Sequence, residues 1–423
     1  DALFPGPVGA RPAELAKAEQ FLRNLEAVGG TNIEQALTLA LSMNTAPSAE
    51  PNRIQVVVFI TDGKPTIGET DPDRLVETVR AANRSHLRIF SIGIDETLDT
   101  ILIDKLTTLT RAWRTYITPK EDIEQKIASF YRKIEAPVLT DISLEESDNI
   151  TLYSVHPSLS ALPDLFLGTS LTLVGRYRGS GPTKITLQGT AAGRRVTFTY
   201  VFDFPTDSGV FDSVPRLWAS RRIGFLLEQI RINGEREELV DEVITLARVH
   251  GIITPYTSFL ILEDEKSRIS QNELSVRDAT LQNVIPPESD FEEQSQEAYT
   301  EMKAESGRGG IRASDDLQKM REAPSNESVD TPARPLLARD KTGNTVDVQS
   351  QVKNAGGRAF YNSPQGWTDS LIQEHSAGGI NRIQFASDEY FTLLHAHPES
   401  REFLAVGRNV RFVMNGELYE IYD

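Results

Sequence analysis

The run Val56-Val57-Val58-Phe59-Ile60, which stops abruptly at Thr61-Asp62-Gly63, most constrains what this chain can become. It is too short for a globular helix, and its β-branched content favours a strand. An unbroken apolar strand reads as one buried on both faces in the middle of a parallel sheet. Asp62 then sits at the carboxyl end of a central strand, where open α/β sheets place their ligand sites. Gly63, Pro65 and Gly68 make the following segment a turn-rich loop. Capping of a turn explains an aspartate at this point about as well as ligand binding does.

Upstream, Val28-Gly29-Gly30-Thr31-Asn32 precedes Ile33, Ala36, Leu37, Ala40 and Leu41, which repeat at helical spacing. Thr31 or Asn32 would cap that helix. A hydroxyl on one strand-to-helix loop and a carboxylate on another are both hard oxygen donors, the kind that Mg²⁺ prefers.

The segments G-G-T-N (29–32) and V-V-V-F-I-T-D-G-K-P-T-I-G-E (56–69) resemble the von Willebrand factor A domain. The branch they are similar to is that of the inter-alpha-trypsin inhibitor heavy chains and their bacterial relatives. R-L-W-A-S (216–220) and G-I-I-T-P-Y-T-S-F-L-I-L-E-D (251–264) resemble the region that follows the A domain in that family. The resemblance implies a metal-ion-dependent adhesion site. Thr31 would supply its second-loop ligand and Asp62 its third-loop ligand, for Mg²⁺ (or Mn²⁺ or Ca²⁺). A partner's Asp or Glu carboxylate would complete the coordination. The family's first loop, D-x-S-x-S, is absent from all 423 residues. Because the chain starts at Asp1, the expectation is a fragment cut inside its first domain. The resemblance further implies an extracellular, periplasmic or cell-surface protein.

Four regions follow from the pattern. Residues 1–135 alternate strand and helix, giving a doubly wound parallel sheet truncated at its start. They include a strand over Leu87–Ile94 and a closing helix with Ile123, Ile127, Phe130 and Ile134 on one face. Residues 136–262 open with short alternating strands, as in a β-sandwich or half of one. Two helices within Val214–Gly251 and a strand over Ile252–Leu262 complete that region. Residues 263–351 are polar and read as a largely disordered linker, with transient helix near Asp315–Arg321 and a flexible Gly307–Gly310. Residues 352–423 read as a small α+β module. In it, Ser387 caps a helix with Tyr390, Phe391 and Leu394 as its apolar face, and a terminal hairpin turns at Asn415-Gly416.

A net charge of −17 argues against nucleic acid or an anionic membrane as partner. The absence of cysteine excludes disulfides, thiolate zinc sites and thiol chemistry. No apolar run approaches the roughly 18–20 residues that span a bilayer. His250 reads as a helix-terminal residue. His395 and His397, two apart on a helix, diverge and read as solvated side chains. Asp423 lacks the D-P-H-F context in which heavy chains form their glycosaminoglycan ester. The leading reading is therefore a non-enzymatic, cation-dependent binding protein. The alternative is a structural or envelope scaffold with a silent metal site. A metal-assisted hydrolase fits less well, because no G-x-S-x-G, H-E-x-x-H, P-loop or G-x-G-x-x-G fingerprint is present. Lys64 and Glu69, close to Asp62, read as loop solvation.

Overall fold

The computed structural model describes residues 2–26, 29–43, 55–134, 137–146, 149–206, 213–257, 288–325, 337–339, 345–347, 352–363, 366–374 and 379–423. Its first unit contains α1 (Pro12–Arg23), α2 (Ile33–Ser42), β1 (Val56–Thr61), α3 (Pro72–Ala82), β2 (Arg88–Ile94), α4 (Thr100–Thr110), β3 (Arg114–Ile117) and α5 (Ile123–Ile134). The three strands form a parallel sheet in the order β1-β2-β3. Leu37 of α2, Leu75 and Val79 of α3 and Leu106 of α4 cover one face with Ile89 of β2. Phe90 and Ile92 point the other way, to Phe130 of α5 and Phe166. Helices on both faces of a parallel sheet make this an α/β doubly wound domain.

β1 departs from the expectation of a strand buried on both faces. Val58 and Ile60 are 45% and 51% exposed, whereas Val57 and Phe59 pack under the helices. The reason is position. Among the described residues β1 is one of the two edge strands, and the face that carries Val58 and Ile60 is left uncovered.

Next come β4 (Pro137–Glu146), β5 (Ile150–His156), β6 (Leu165–Phe166), β7 (Val174–Gly179), β8 (Gly181–Ala191) and β9 (Arg194–Phe204). They form a four-stranded sheet, β6-β4-β8-β9, and a separate antiparallel pair, β5-β7. Helix α6 (Ser213–Asn233) then runs through the middle of the molecule, with α7 (Glu237–His250) beside it. α7 ends at Gly251, whose left-handed backbone (φ 63°) stops the helix. The strand expected over Ile252–Leu262 does not start there. Residues 255–257 turn helically, with Thr254 and Thr257 bonded to each other. The remainder, 258–262, lies outside the described residues.

The linker expectation for 263–351 is corrected over 288–325. Helices α8 (Glu288–Lys303) and α9 (Gly307–Glu322) occupy that stretch, and α9 includes the supposedly flexible Gly307–Gly310. Ile311, Ser314 and Leu317 of α9 are buried. At the α6 crossing, a Cβ on Gly224 would lie 2.8 Å from the Met320 Cβ, so glycine is what permits the close approach. This polar helix is anchored both by apolar residues, Leu317 and Met320 in the α6/α7 core and Ile311 beside Tyr116, and by hydrogen bonds.

Those bonds converge on Asp104, which is fully buried. Its carboxylate receives the Arg114 Nε at 2.6 Å and the Arg231 Nε at 3.2 Å. The Tyr116 hydroxyl donates to it at 3.0 Å and the Ser314 hydroxyl at 2.5 Å. Arg231 also donates to Thr100 Oγ1 and to the carbonyls of Met302 and Gly310. Glu228 of α6 pairs with Arg114 and Arg321. This junction ties α4 and β3 of the first unit to α6 and α9.

After a small hairpin of β10 (Leu337–Arg339) and β11 (Thr345–Asp347), the chain ends in a mixed six-stranded sheet. Its strands are β12 (Val352–Ala355), β13 (Arg358–Ser363), β14 (Gly366–Asp369), β15 (Ile380–Gln384), β16 (Val410–Met414) and β17 (Glu417–Tyr422), with α10 (Asp388–Ala396) and α11 (Ser400–Leu404). Ser387 caps α10 by accepting from the Tyr390 N–H, and the last hairpin turns at Asn415-Gly416 with both residues at positive φ. The buried residue of α10 is Leu393 rather than Phe391, which is 47% exposed. Tyr390 and Leu394 pack beside Leu393 against the same core. The sheet docks on α7, where the Tyr361 hydroxyl donates to the Arg248 carbonyl at 2.6 Å.

Candidate functional site

Two loops meet at the carboxyl end of the parallel sheet. In the first, Asn32 caps α2 by accepting the Gln35 N–H at 2.9 Å, which leaves the Thr31 hydroxyl free of capping duty. In the second, Asp62 and Gly63 follow β1. The two are fastened through Thr66. Its hydroxyl accepts the Thr31 N–H at 2.7 Å, and its own N–H donates to the Thr31 carbonyl at 2.9 Å. A Cβ on Gly30 would come within 2.7 Å of Ile67 and Thr66, so glycine is required for the loops to nest. The Glu69 N–H donates to Glu34 at 2.9 Å and secures the far side.

A third loop, between β2 and α4, supports the second. The Thr97 hydroxyl donates to the Asp62 carbonyl at 2.8 Å. Asp99 caps α4 by accepting the Leu102 N–H at 2.9 Å. Burial pushes the Asp99 carboxyl above its ordinary range, and Glu305 adds to this while Lys64 opposes it. The turn between α8 and α9 is fixed to the same loop. The Thr100 N–H donates to the Glu305 carbonyl, the Gly307 N–H to the Glu96 carbonyl, and Arg308 pairs with Glu96 at 2.5 Å.

The structure therefore brings Thr31 and Asp62 to one edge. Thr31 Oγ1 lies 4.0 Å from the point where a Cβ on Gly63 would stand. Among the described residues, neither the Thr31 hydroxyl nor the Asp62 carboxylate has a hydrogen bond or ion pair. In kind, these donors suit a hard divalent cation. In number they are two, against the roughly six oxygens such a cation takes. No group of three or more His, Cys, Asp or Glu capable of holding a metal occurs among the described residues. Thr66 and Thr97, which hold the loops, escaped the sequence reading. Thr66 sits inside the recognised motif, whereas nothing local to Thr97 signals its partner 35 residues away.

The other candidates stay apart from this edge. Burial depresses His250 to about 4, and its carbonyl accepts from Arg216. His395 bonds its own helix and His397 pairs with Glu399 at 3.1 Å. Asp423 is 3.5 Å from Arg408.

Residues 1–114 match the von Willebrand factor type A domain family. The chain is 25% identical over 285 residues to human inter-alpha-trypsin inhibitor heavy chain H4, covering 63% of this chain and 30% of that protein. With heavy chain H3 of Rattus norvegicus it shares 27% over 275 residues, 61% of this chain and 31% of the relative. It thus spans about 30% of the length of these curated relatives. A solved von Willebrand factor type A structure from Catenulispora acidiphila is similar at a TM-score of 0.39 and 12% identity, over 72% of this chain and 77% of that one. Residues 1–114 are thus similar to von Willebrand factor type A domains, and a longer stretch of the chain is similar to the inter-alpha-trypsin inhibitor heavy chains.

Proposed function

We propose that this is a non-enzymatic protein-binding module whose contact edge is the Thr31/Asp62 loop pair. The observation that carries the reading is two hard-oxygen donors without partners among the described residues, on loops fastened by Thr66 and Thr97 at the carboxyl end of the sheet. A Mg²⁺ ion, or Mn²⁺ or Ca²⁺, would be held by Thr31 and Asp62, and a partner's Asp or Glu would complete its shell. When bound, the ion supplies an electrostatic bridge between two carboxylates. Thr66 and Thr97 keep both loops in place, so little ordering is needed on binding. Similarity to the heavy chains favours an extracellular, periplasmic or cell-surface setting. No helix among the described residues is long and apolar enough to cross a membrane.

A second reading, a scaffold with a silent site, is favoured by the donor count of two. Calorimetric titration of the chain with Mg²⁺ and Mn²⁺, beside Asp62→Ala and Thr31→Ala variants, separates the two. Saturable binding that both substitutions abolish supports the cation-dependent module. Binding that is absent, or indifferent to them, supports the scaffold.

A further inference from the structure

Strand β9 reads R-R-V-T-F-T-Y-V-F-D-F and, among the described residues, is the last strand of its sheet. Val196, Phe198, Tyr200, Phe202 and Phe204 alternate along it and share one face. Phe198, Tyr200 and Phe202 are 43%, 52% and 50% exposed. Across on β8, Leu187 stands opposite Phe198 and Ile185 opposite Tyr200; Ile185 is buried and Leu187 half-buried. Leu187 and Val196 belong to the core around Leu139 and Leu162. The aromatic row therefore continues a core past the strand where its cover stops.

Soluble proteins guard such edges with lysines, prolines or bulges. β9 has none of these. Its ladder with β8 is unbroken from Gly181↔Phe204 to Ala191↔Arg194. Its charges sit only at the ends, as Arg194 and Arg195 at one and Asp203 at the other.

We propose that β9 is a self-recognition edge, pairing antiparallel with β9 of a second copy about a two-fold axis at Thr199. Two independent features select that register. Directly opposed residues lie on the same face, so both aromatic rows stay together only if even-numbered residues oppose even-numbered ones. Among those registers, centring on Thr199 sets Arg195 opposite Asp203 at both ends. Val196 then meets Phe202 and Phe198 meets Tyr200, pairs of the kind that stabilise antiparallel strands. The contact is isologous and closes at two copies. The end charges set register more than strength, because exposed ion pairs contribute little. With −17 on each chain, long-range repulsion weakens association at low salt and moderate salt relieves it.

Sedimentation velocity of the full chain over a concentration series tests this, with circular dichroism as the fold control. The wild type is expected to dimerise reversibly. Arg195→Asp and Asp203→Arg each place like charges at both ends and should weaken the dimer at least about tenfold. An equimolar mixture of these two variants pairs opposite charges again and should restore a heterodimer. Thr199→Pro, which removes a ladder donor, should abolish it. A chain that stays monomeric at all concentrations overturns the proposal. So does a dimer indifferent to both charge reversals, or a mixture that fails to reassociate.

Discussion

Two places in this molecule set carboxylates beside hydroxyls, and they are treated in opposite ways. Around Asp104, every charge is buried and answered: two arginines, a tyrosine and a serine surround one carboxylate. At the sheet edge, Asp62 is exposed and the Thr31 hydroxyl has no partner among the described residues. In the first arrangement the Asp104 carboxylate is spent on joining α4, α6 and α9. The second is held only through its backbone, by Thr66 and Thr97, and its side-chain donors remain available. Saturated polar groups build architecture, whereas fixed but unsaturated ones offer a contact.

The largest effect should come from breaking the saturated side. Asp104→Asn leaves Arg114 and Arg231 buried without their common counter-charge, and removing one partner of such a set costs about 3–5 kcal/mol. Urea unfolding should show that loss. Asp62→Asn, measured in parallel, should shift stability by no more than about 0.5 kcal/mol, as exposed substitutions do. Equal costs at the two positions would erase the comparison.

Acid should act next. Burial holds His156 and His250 at about 4, below their ordinary value, so both stay neutral in the fold. Between about 6.5 and 4 the unfolded chain therefore binds more protons, and stability falls as pH drops through that window. The loss is of order 2–3 kcal/mol per histidine. Asp315 opposes this. Burial raises it to about 6, so its contribution is greatest at low pH and disappears as pH rises from about 4 through 6. Asp315→Asn should raise the melting temperature at pH 7.5 and change little at pH 4. Thermal melts over that range, with and without the substitution, check both signs.

Smaller effects sharpen the contrast. Ser314→Ala removes one donor to Asp104 and leaves a void, which should cost about 1–3 kcal/mol. Asn32→Ala removes the α2 cap for about 1 kcal/mol, and by loosening the Thr31 loop should weaken any Mg²⁺ binding. Thr31→Ala should leave the melting temperature unchanged while removing that binding, as read by calorimetry.

Local patterns were legible where one element's own residues decide its structure. The spacing of Ile33, Leu37 and Leu41 and the Asn415-Gly416 turn both appear as the sequence implied. The Thr31 and Asp62 segments stood out as short stretches of distinctive composition, and the structure places them on adjoining loops. Other features were not legible, because their partners are distant in the chain. The exposure of Val58 and Ile60 depends on what covers that face of β1, which an apolar run does not encode. The burial of α8 and α9 depends on distant partners: Met302 and Leu317 join the core of α6 and α7, and Ser314 bonds Asp104, about 200 residues away. By itself, then, the sequence determined the elements, their caps and the two donors. Only the tertiary structure decided which donors are satisfied and which are left open, because satisfaction is a property of neighbours that folding brings together.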